Sequence, residues 1–256
     1  MADNRDSVAV VIHSFNEEKN IKVCIESAKL LTSNIILIDM ESTDRTTTIA
    51  SEIGAEIHIF PNSHYVEPSR EFGVSKAQAE WILIIDADER ITANLASEIK
   101  SAIKTFEFNA YKIPRKNLFA GKKWLRHGGW WPDHQTRLIR KRALQKWPTE
   151  IHSTPVINGS QGTLQEPLLH FFHGDIESMV NKTIIFESIE AQLLARAGKT
   201  AKTRTFMRKF AGELFRRLFR DKGFLDGTIG IIESIYQAFS KTVTYLFLYE
   251  KKSGSL

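Results

Sequence analysis

Trp81-Ile82-Leu83-Ile84-Ile85-Asp86-Ala87-Asp88-Glu89 decides how this 256-residue chain reads. Five apolar or aromatic residues in a row read as a buried strand. The strand ends in three carboxylates within four positions, which is costly unless a cation or a reaction uses them. In an open parallel sheet, ligands bind beyond the carboxyl ends of the strands. Asp86-x-Asp88 therefore reads as a seat for a divalent metal that holds a substrate diphosphate. The competing reading of so short a motif is a solvated turn opening the next helix.

Outward from this strand, apolar runs alternate with amphipathic ones. Residues 8–12, 35–38 and 56–60 read as further strands. Residues 17–30 have helical spacing, with Ile21, Ile25, Ala28 and Leu31 on one side and Asn16 as the expected N-cap. Residues 43–53, stopped at Gly54, and 68–79 complete a strand–helix alternation that predicts a parallel sheet. Beyond Asp88, helices are expected over 93–106 and 176–197. Strands are expected near 110–113, 135–140 and 164–172. Three of the strands end in chemistry-bearing residues: Asn16-Glu17-Glu18, Asp39 and Asp86-Ala87-Asp88. Adjacent parallel strands bring such ends to one crevice.

A hydrophobic content of 42% is sufficient for a sizeable core. The single Cys24 excludes an intrachain disulfide, fits a reducing compartment and reads as a core residue. The first six residues are polar and lack a secretory apolar core, and no apolar run reaches membrane-spanning length. The net charge of +5 is concentrated. Residues 199–222 carry nine Lys or Arg against Glu213 and Asp221, a net +7, which leaves −2 for the rest of the chain. That distribution argues against a general nucleic-acid binder.

Four blocks together resemble the inverting GT-A glycosyltransferases of family 2, and most of all the branch that adds a sugar to the inner core of bacterial lipopolysaccharide. They are Ser14-Phe15-Asn16-Glu17-Glu18, Asp39-Met40-Glu41-Ser42-Thr43-Asp44-Arg45-Thr46, the stretch 81–89, and His127-Gly128-Gly129-Trp130-Trp131-Pro132-Asp133-His134-Gln135-Thr136-Arg137-Leu138. The resemblance implies an α/β GT-A fold: a Rossmann-like, mostly parallel sheet flanked by helices. It places a glycosyltransferase domain at 1–195, with a nucleotide-sugar half at about 1–90 and an acceptor half at about 91–195. A helical, basic, amphipathic extension follows at 196–256.

The resemblance further implies a UDP-sugar donor, with glucose the usual sugar. Ser14, Phe15, Asn16, Glu18, Asp39, Arg70, Asp86, Ala87 and Asp88 would bind it. Mg²⁺ or Mn²⁺ would sit on Asp88 and Asp86, with His152 as candidate third ligand and His170 and His173 behind it. Asp39 is equally readable as a capping acid in a strand–helix loop. Inversion needs one carboxylate to take the acceptor proton, and Asp133 stands where the family places it; a turn Asp after Pro132 is the alternative. Trp130, Trp131, Gln135 and Arg137 would face a saccharide or glycolipid acceptor, although two tryptophans can also plug a core. Ser14, Met40-Glu41, Glu71 and Leu138 depart from the common family residues. Leu138, where processive relatives carry Trp, fits single addition.

In the tail, Phe206, Met207, Phe210, Ala211, Leu214, Phe215 and Leu218 share a helical side, with Lys209, Arg216, Arg217 and Arg220 on the other. That pattern suits an interfacial helix on an anionic membrane. A second stripe, Ile232, Ile235, Tyr236, Phe239, Val243, Leu246 and Phe247, suits packing on the body or in a homo-oligomer. The expected location is cytoplasmic, peripheral at the inner face of the cell membrane. Two other classes compete. A nucleotidyltransferase acting on sugar phosphates would carry a Gly-rich basic loop where this chain has Asn16-Glu17-Glu18. A non-catalytic membrane-bound saccharide-binding module would give no use to Asp86, Asp88 and Asp133 together.

Overall fold

The computed structural model describes residues 7–105, 107–172 and 176–253. The elements in chain order are β1 (Val8–Ser14), α1 (Ile21–Ala28), β2 (Ile35–Asp39), α2 (Thr46–Glu52), β3 (Glu56–Ile59), α3 (Glu67–Lys76), β4 (Trp81–Asp86), β5 (Glu89–Arg90), α4 (Ala93–Ala102), β6 (Ala110–Phe119), β7 (Lys123–Trp124), β8 (Asp133–Arg140), β9 (Leu144–Lys146), β10 (Val156–Ile157), β11 (Gln161–Thr163), β12 (Leu168–His170), α5 (Ile176–Arg196), α6 (Thr203–Phe215) and α7 (Gly227–Ser253). They form two compact units. One comprises Met1–Lys116 and His134–His170, the other Asn117–Asp133 and Phe171–Leu256. This division does not coincide with a boundary at 195, since α5 lies in the second unit.

The first unit is built on a sheet of order β3-β2-β1-β4-β8-β6-β12-β5, with β11 beside β6. Strands β1 to β4 pair in parallel. β4 meets β8 antiparallel, and so does β12 meet β5. Both faces of the central strands are covered, so their sequences are apolar throughout rather than alternating. Every residue of β1 is buried, and Trp81 through Ile85 are fully so. One core layer joins Ile21, Cys24, Ile25 and Leu31 of the α1 region to Val10, Ile12, Leu83 and Ile85. The other joins Val74, Ala77 and Trp147 to Val11, Ile36 and Ile84. On α3, a Cβ at Gly73 would meet Val11 Cγ1 at 2.8 Å, so only glycine allows that approach.

α1 begins at Ile21, four residues beyond Glu17, and Asn16 is not its cap. Asn16 sits at φ 53°, a conformation Asn tolerates, and its carboxamide oxygen accepts from the Thr43 amide instead.

The second unit is mainly helical. α7 packs on α5 and α6 through Ala191, Ala201 and Leu248, with Leu194, Phe206, Tyr245 and Phe247 around them. Glu187 of α5 accepts hydrogen bonds from Ser240 and Thr244 of α7. The Tyr236 hydroxyl donates to the Met179 carbonyl at 2.8 Å. Among the described residues, no helix is long and apolar enough to cross a membrane.

Candidate active site

Strand register builds the site in the first unit. Ser14 stands opposite Asp39, and His13 opposite Asp86, so the ends of β1, β2 and β4 lie at one height. The two loops that follow β1 and β2 interlock. Asp39 is only 1% exposed. Its Oδ1 accepts from the hydroxyls of Ser14 (3.0 Å) and Ser42 (2.6 Å), and Oδ2 from the Ser42 amide (2.8 Å). A carboxylate has about four acceptor positions, so one remains. The Asn16 amide donates to Ser42, the Glu17 amide to Thr46 and the Glu18 amide to Asp44. Asp44 also accepts the Thr46 amide at the start of α2, which is the helix-terminal role its position suggests. Phe15 is left exposed at the tip of β1.

The acids after β4 meet different fates. Asp86 is gripped at Oδ1 by Arg70 and at Oδ2 by Arg137, each at 2.7 Å. Arg137 continues to Glu89 at 2.9 Å, and Glu89, fully buried, accepts the Asp86 amide at 2.9 Å. Arg115 approaches Glu89 at 3.6 Å. Burial opposes the charged form of Asp86, yet Arg137 and Arg70 outweigh it and hold the carboxyl well below the usual carboxylate range. His13 lies beneath the same pair. Burial, reinforced by the charge of Arg70, holds its imidazole well below its ordinary value. Ser69 Oγ donates to the Val66 carbonyl, so Nδ1 of His13 must be the donor in its 2.8 Å contact with Ser69.

Asp88 is outside this grip. It is partly buried, and His170 stands beside it, with Nε2 at 3.5 Å from Oδ2. The antiparallel pairing of β12 with β5 sets His170 opposite Glu89 and so delivers it there. His152, the expected third ligand, is instead exposed at φ 60°, where its amide donates to Glu67 at 2.7 Å. His173 lies outside the described residues. Among the described residues, no group of three His, Cys, Asp or Glu could hold a metal. Asp88 and His170 offer one oxygen and one nitrogen donor. That set fits Mg²⁺ or Mn²⁺, which take few protein ligands and complete their shell with phosphate and water.

Arg137 requires a second correction: at 5% exposure and bound to two acids, it belongs to the charge frame under the site and not to an acceptor surface. Arg70 is likewise buried, stacked 5.7 Å from the Trp147 ring. Its Nη1 makes no hydrogen bond among the described residues. Glu71, one of the departures, accepts the Trp147 amide at 2.8 Å. Arg90 was not singled out by sequence. It donates to the carbonyls of Ala87 and Glu89 and to Asn20, tying the acidic turn to the start of α1.

Asp133, Trp130 and Trp131 lie in the second unit. Asn117 Nδ2 donates to Asp133 (3.2 Å) and to the Trp130 carbonyl (3.1 Å). Trp130 packs on Phe172 with centroids 4.8 Å apart, and Trp131 meets Trp124 edge-on at 5.3 Å. Both are half-buried, as plugs with one side open.

The profile of Glycosyl transferase family 2 matches residues 9–158, more than half of the chain. The protein belongs to glycosyl transferase family 2. An uncharacterized glycosyltransferase of Rickettsia conorii is 27% identical to this transferase over 264 residues, spanning 98% of this chain and 92% of the other. The lipopolysaccharide core biosynthesis glycosyltransferase LpsC of Rhizobium meliloti is 24% identical over 261 residues, spanning 95% and 92%. The solved structure of S. aureus TarS 1–349 in complex with UDP aligns over 97% of this chain and 92% of that one, with a TM-score of 0.52 at 14% identity. The fold of the transferase is GT-A, mixed α/β with a mostly parallel sheet.

Proposed function

We propose that the transferase moves a sugar, glucose by family resemblance, from a UDP-sugar to a lipid-linked or lipopolysaccharide core saccharide with inversion at the anomeric carbon. The observation that carries this reading is the common height of Ser14, Asp39 and Asp86, with Asp88 set beside His170 and apart from the arginine pair. The TarS neighbour was solved with UDP, and LpsC is named for lipopolysaccharide core synthesis; both support the donor and acceptor classes.

In this reading Phe15 stacks on the nucleoside, and Ser14, Asn16, Glu18 and Asp39 shape its cradle, Asp39 through its remaining acceptor position. Asp86 and Ala87 form the turn beneath the ribose. Arg70, through its unengaged Nη1, adds positive potential toward the diphosphate. Asp88 with His170 would hold a divalent ion, whose chemistry is neutralisation of the departing diphosphate. Asp133 takes the proton of the attacking acceptor hydroxyl. Trp130 and Trp131 offer aromatic faces to a sugar, and Gln135 a polar contact. The basic segment 199–222 meets an anionic membrane surface, at the cytoplasmic face, where a lipid-linked acceptor resides.

The test is a screen of UDP-, GDP- and dTDP-sugars for hydrolysis with and without Mn²⁺ or Mg²⁺. Metal-dependent turnover of a UDP-sugar is expected. Turnover of a GDP- or dTDP-sugar alone would overturn the donor assignment, and full turnover in chelator would overturn the role of Asp88 and His170.

A further inference from the structure

The end of the basic segment has two sides. Outward, Phe215 is 63% and Phe219 57% exposed, with rings 5.8 Å apart, and Phe224 and Leu225 are exposed too. Met207 continues this apolar side along α6, and exposed Arg204, Arg208, Arg220 and Lys222 flank it. Of these four cations, the segment's two acids meet only Arg220. Glu213 is bound by Arg216 and Arg217, and Asp221 by Arg216 and Arg220. Arg216 and Arg217 therefore turn inward, and exposed Arg204, Arg208 and Lys222, with Arg220 beside Asp221, stand on the outward side.

Inward, the same residues clasp the loop before β8. Asp226 Oδ2 accepts the amides of Arg126 and His127, both at 2.8 Å, and Oδ1 meets the His127 ring at 2.9 Å. The Gly128 amide donates to the Asp221 carbonyl at 2.7 Å, and Arg217 donates back to the Gly128 carbonyl at 3.0 Å. Gly128 and Gly223 touch backbone to backbone: a Cβ on Gly223 would come within 3.4 Å of the Gly128 Cα and 2.7 Å of the Arg217 carbonyl. Arg217 also lies 5.6 Å from the Trp130 ring. The clasped loop ends at Asp133.

We propose that residues 215–225 dock on an anionic lipid surface and that docking stiffens the loop 126–133 that carries Asp133. This rests on the reading of the basic segment as the membrane-facing part of the transferase, and assigns the contact and its consequence. Exposed aromatic rings flanked by cations match an anionic headgroup layer over an apolar interior. A second copy fits less well, because a two-fold contact would bring two identical cation-rimmed patches together. Inserting Phe219 and Phe224 restrains the very residues that bond to positions 126–128, so lipid contact lowers the opening of that loop.

The experiment combines vesicle co-sedimentation with hydrogen exchange of the full chain, neither of which depends on sugar transfer. Vesicles of phosphatidylglycerol with phosphatidylcholine should bind the protein and slow amide exchange in 126–133 by about threefold or more. Phosphatidylcholine alone should bind weakly and leave exchange unchanged. The exposed substitutions Phe219→Ser with Phe224→Ser should weaken anionic binding about tenfold or more while sparing loop exchange in solution. Asp226→Asn should bind vesicles like the wild type but exchange faster at 126–128. Wild-type protein that ignores anionic vesicles, that binds them with unchanged exchange at 126–133, or that buries Phe219 in a dimer without lipid would each overturn the proposal. A failed donor screen would leave these measurements untouched.

Discussion

Asp86, partly buried, and Glu233, buried, are carboxylates one in each unit, and their surroundings drive them apart. Asp86 is matched by Arg137 and Arg70, which overcome burial and hold it well below the usual range. Glu233 sits in α7 with one weak donor, Gln237 Nε2 at 3.4 Å, and its Oε1 makes no hydrogen bond among the described residues. Burial pushes its carboxyl up to about 7, against the opposing pull of Gln237 and of Arg217. A preset charge frame keeps one ionic state under the carboxyl end of the parallel strands throughout the neutral range. The helical unit instead holds an acid that changes charge there. Raised and lowered acids also act on stability in opposite directions. The Asp86 contribution is present above the ordinary carboxylate range and lost as pH falls below it. The Glu233 contribution is full below its unfolded value near 4.5 and lost as pH rises through about 7.

The contrast can be broken first at Asp88, the acid left outside the frame. Asp88→Asn is expected to abolish metal-assisted UDP binding. Calorimetry with and without Mn²⁺ checks it, and unchanged metal-assisted affinity would return Asp88 to an ordinary turn acid. Arg137→Met attacks the frame itself. It leaves fully buried Glu89 with only Arg115 at 3.6 Å as a cation, takes one of the two arginines from Asp86, and should cost about 3 kcal/mol in denaturant unfolding. A loss below 1 kcal/mol would mean that water already screens the cluster. Asp133→Asn should leave donor affinity near wild type while turnover drops about a hundredfold, and weakened donor binding with normal turnover would make Asp133 a donor ligand. Glu233→Gln is the mildest test. Wild-type stability should fall by about 2 kcal/mol between pH 5 and 7 through this group, and the variant should lose that slope. Parallel melting curves for the two proteins would show that Glu233 is not raised.

The central strands and the acids at their ends were legible because a run such as Trp81 through Ile85 has no stable place except a covered sheet. The partners of those acids were not. Arg70 and Arg137 reach Asp86 from 16 and 51 positions away, and periodicity carries no record of such a meeting. The choice among histidines was set by a strand pairing, His170 with Glu89, that a three-residue β12 barely signals. In the tail, the helical wheel found an amphipathic pattern but assigned its sides imperfectly. Phe206 packs near Tyr249 while Met207 and Phe215 face water, Lys209 lies over the Tyr245 ring, and Arg216 and Arg217 turn inward. The wheel weighs hydrophobicity and cannot know where α7 lies.

The Asp226 clasp also sets a schedule. Arg126 and the carboxylate that accepts its amide are 100 positions apart. At a synthesis rate of about 5–20 residues per second, the loop before Asp133 leaves the ribosome roughly 5–20 s before its holder exists. A nascent chain can thus complete its parallel sheet while the loop before Asp133 is still unfastened.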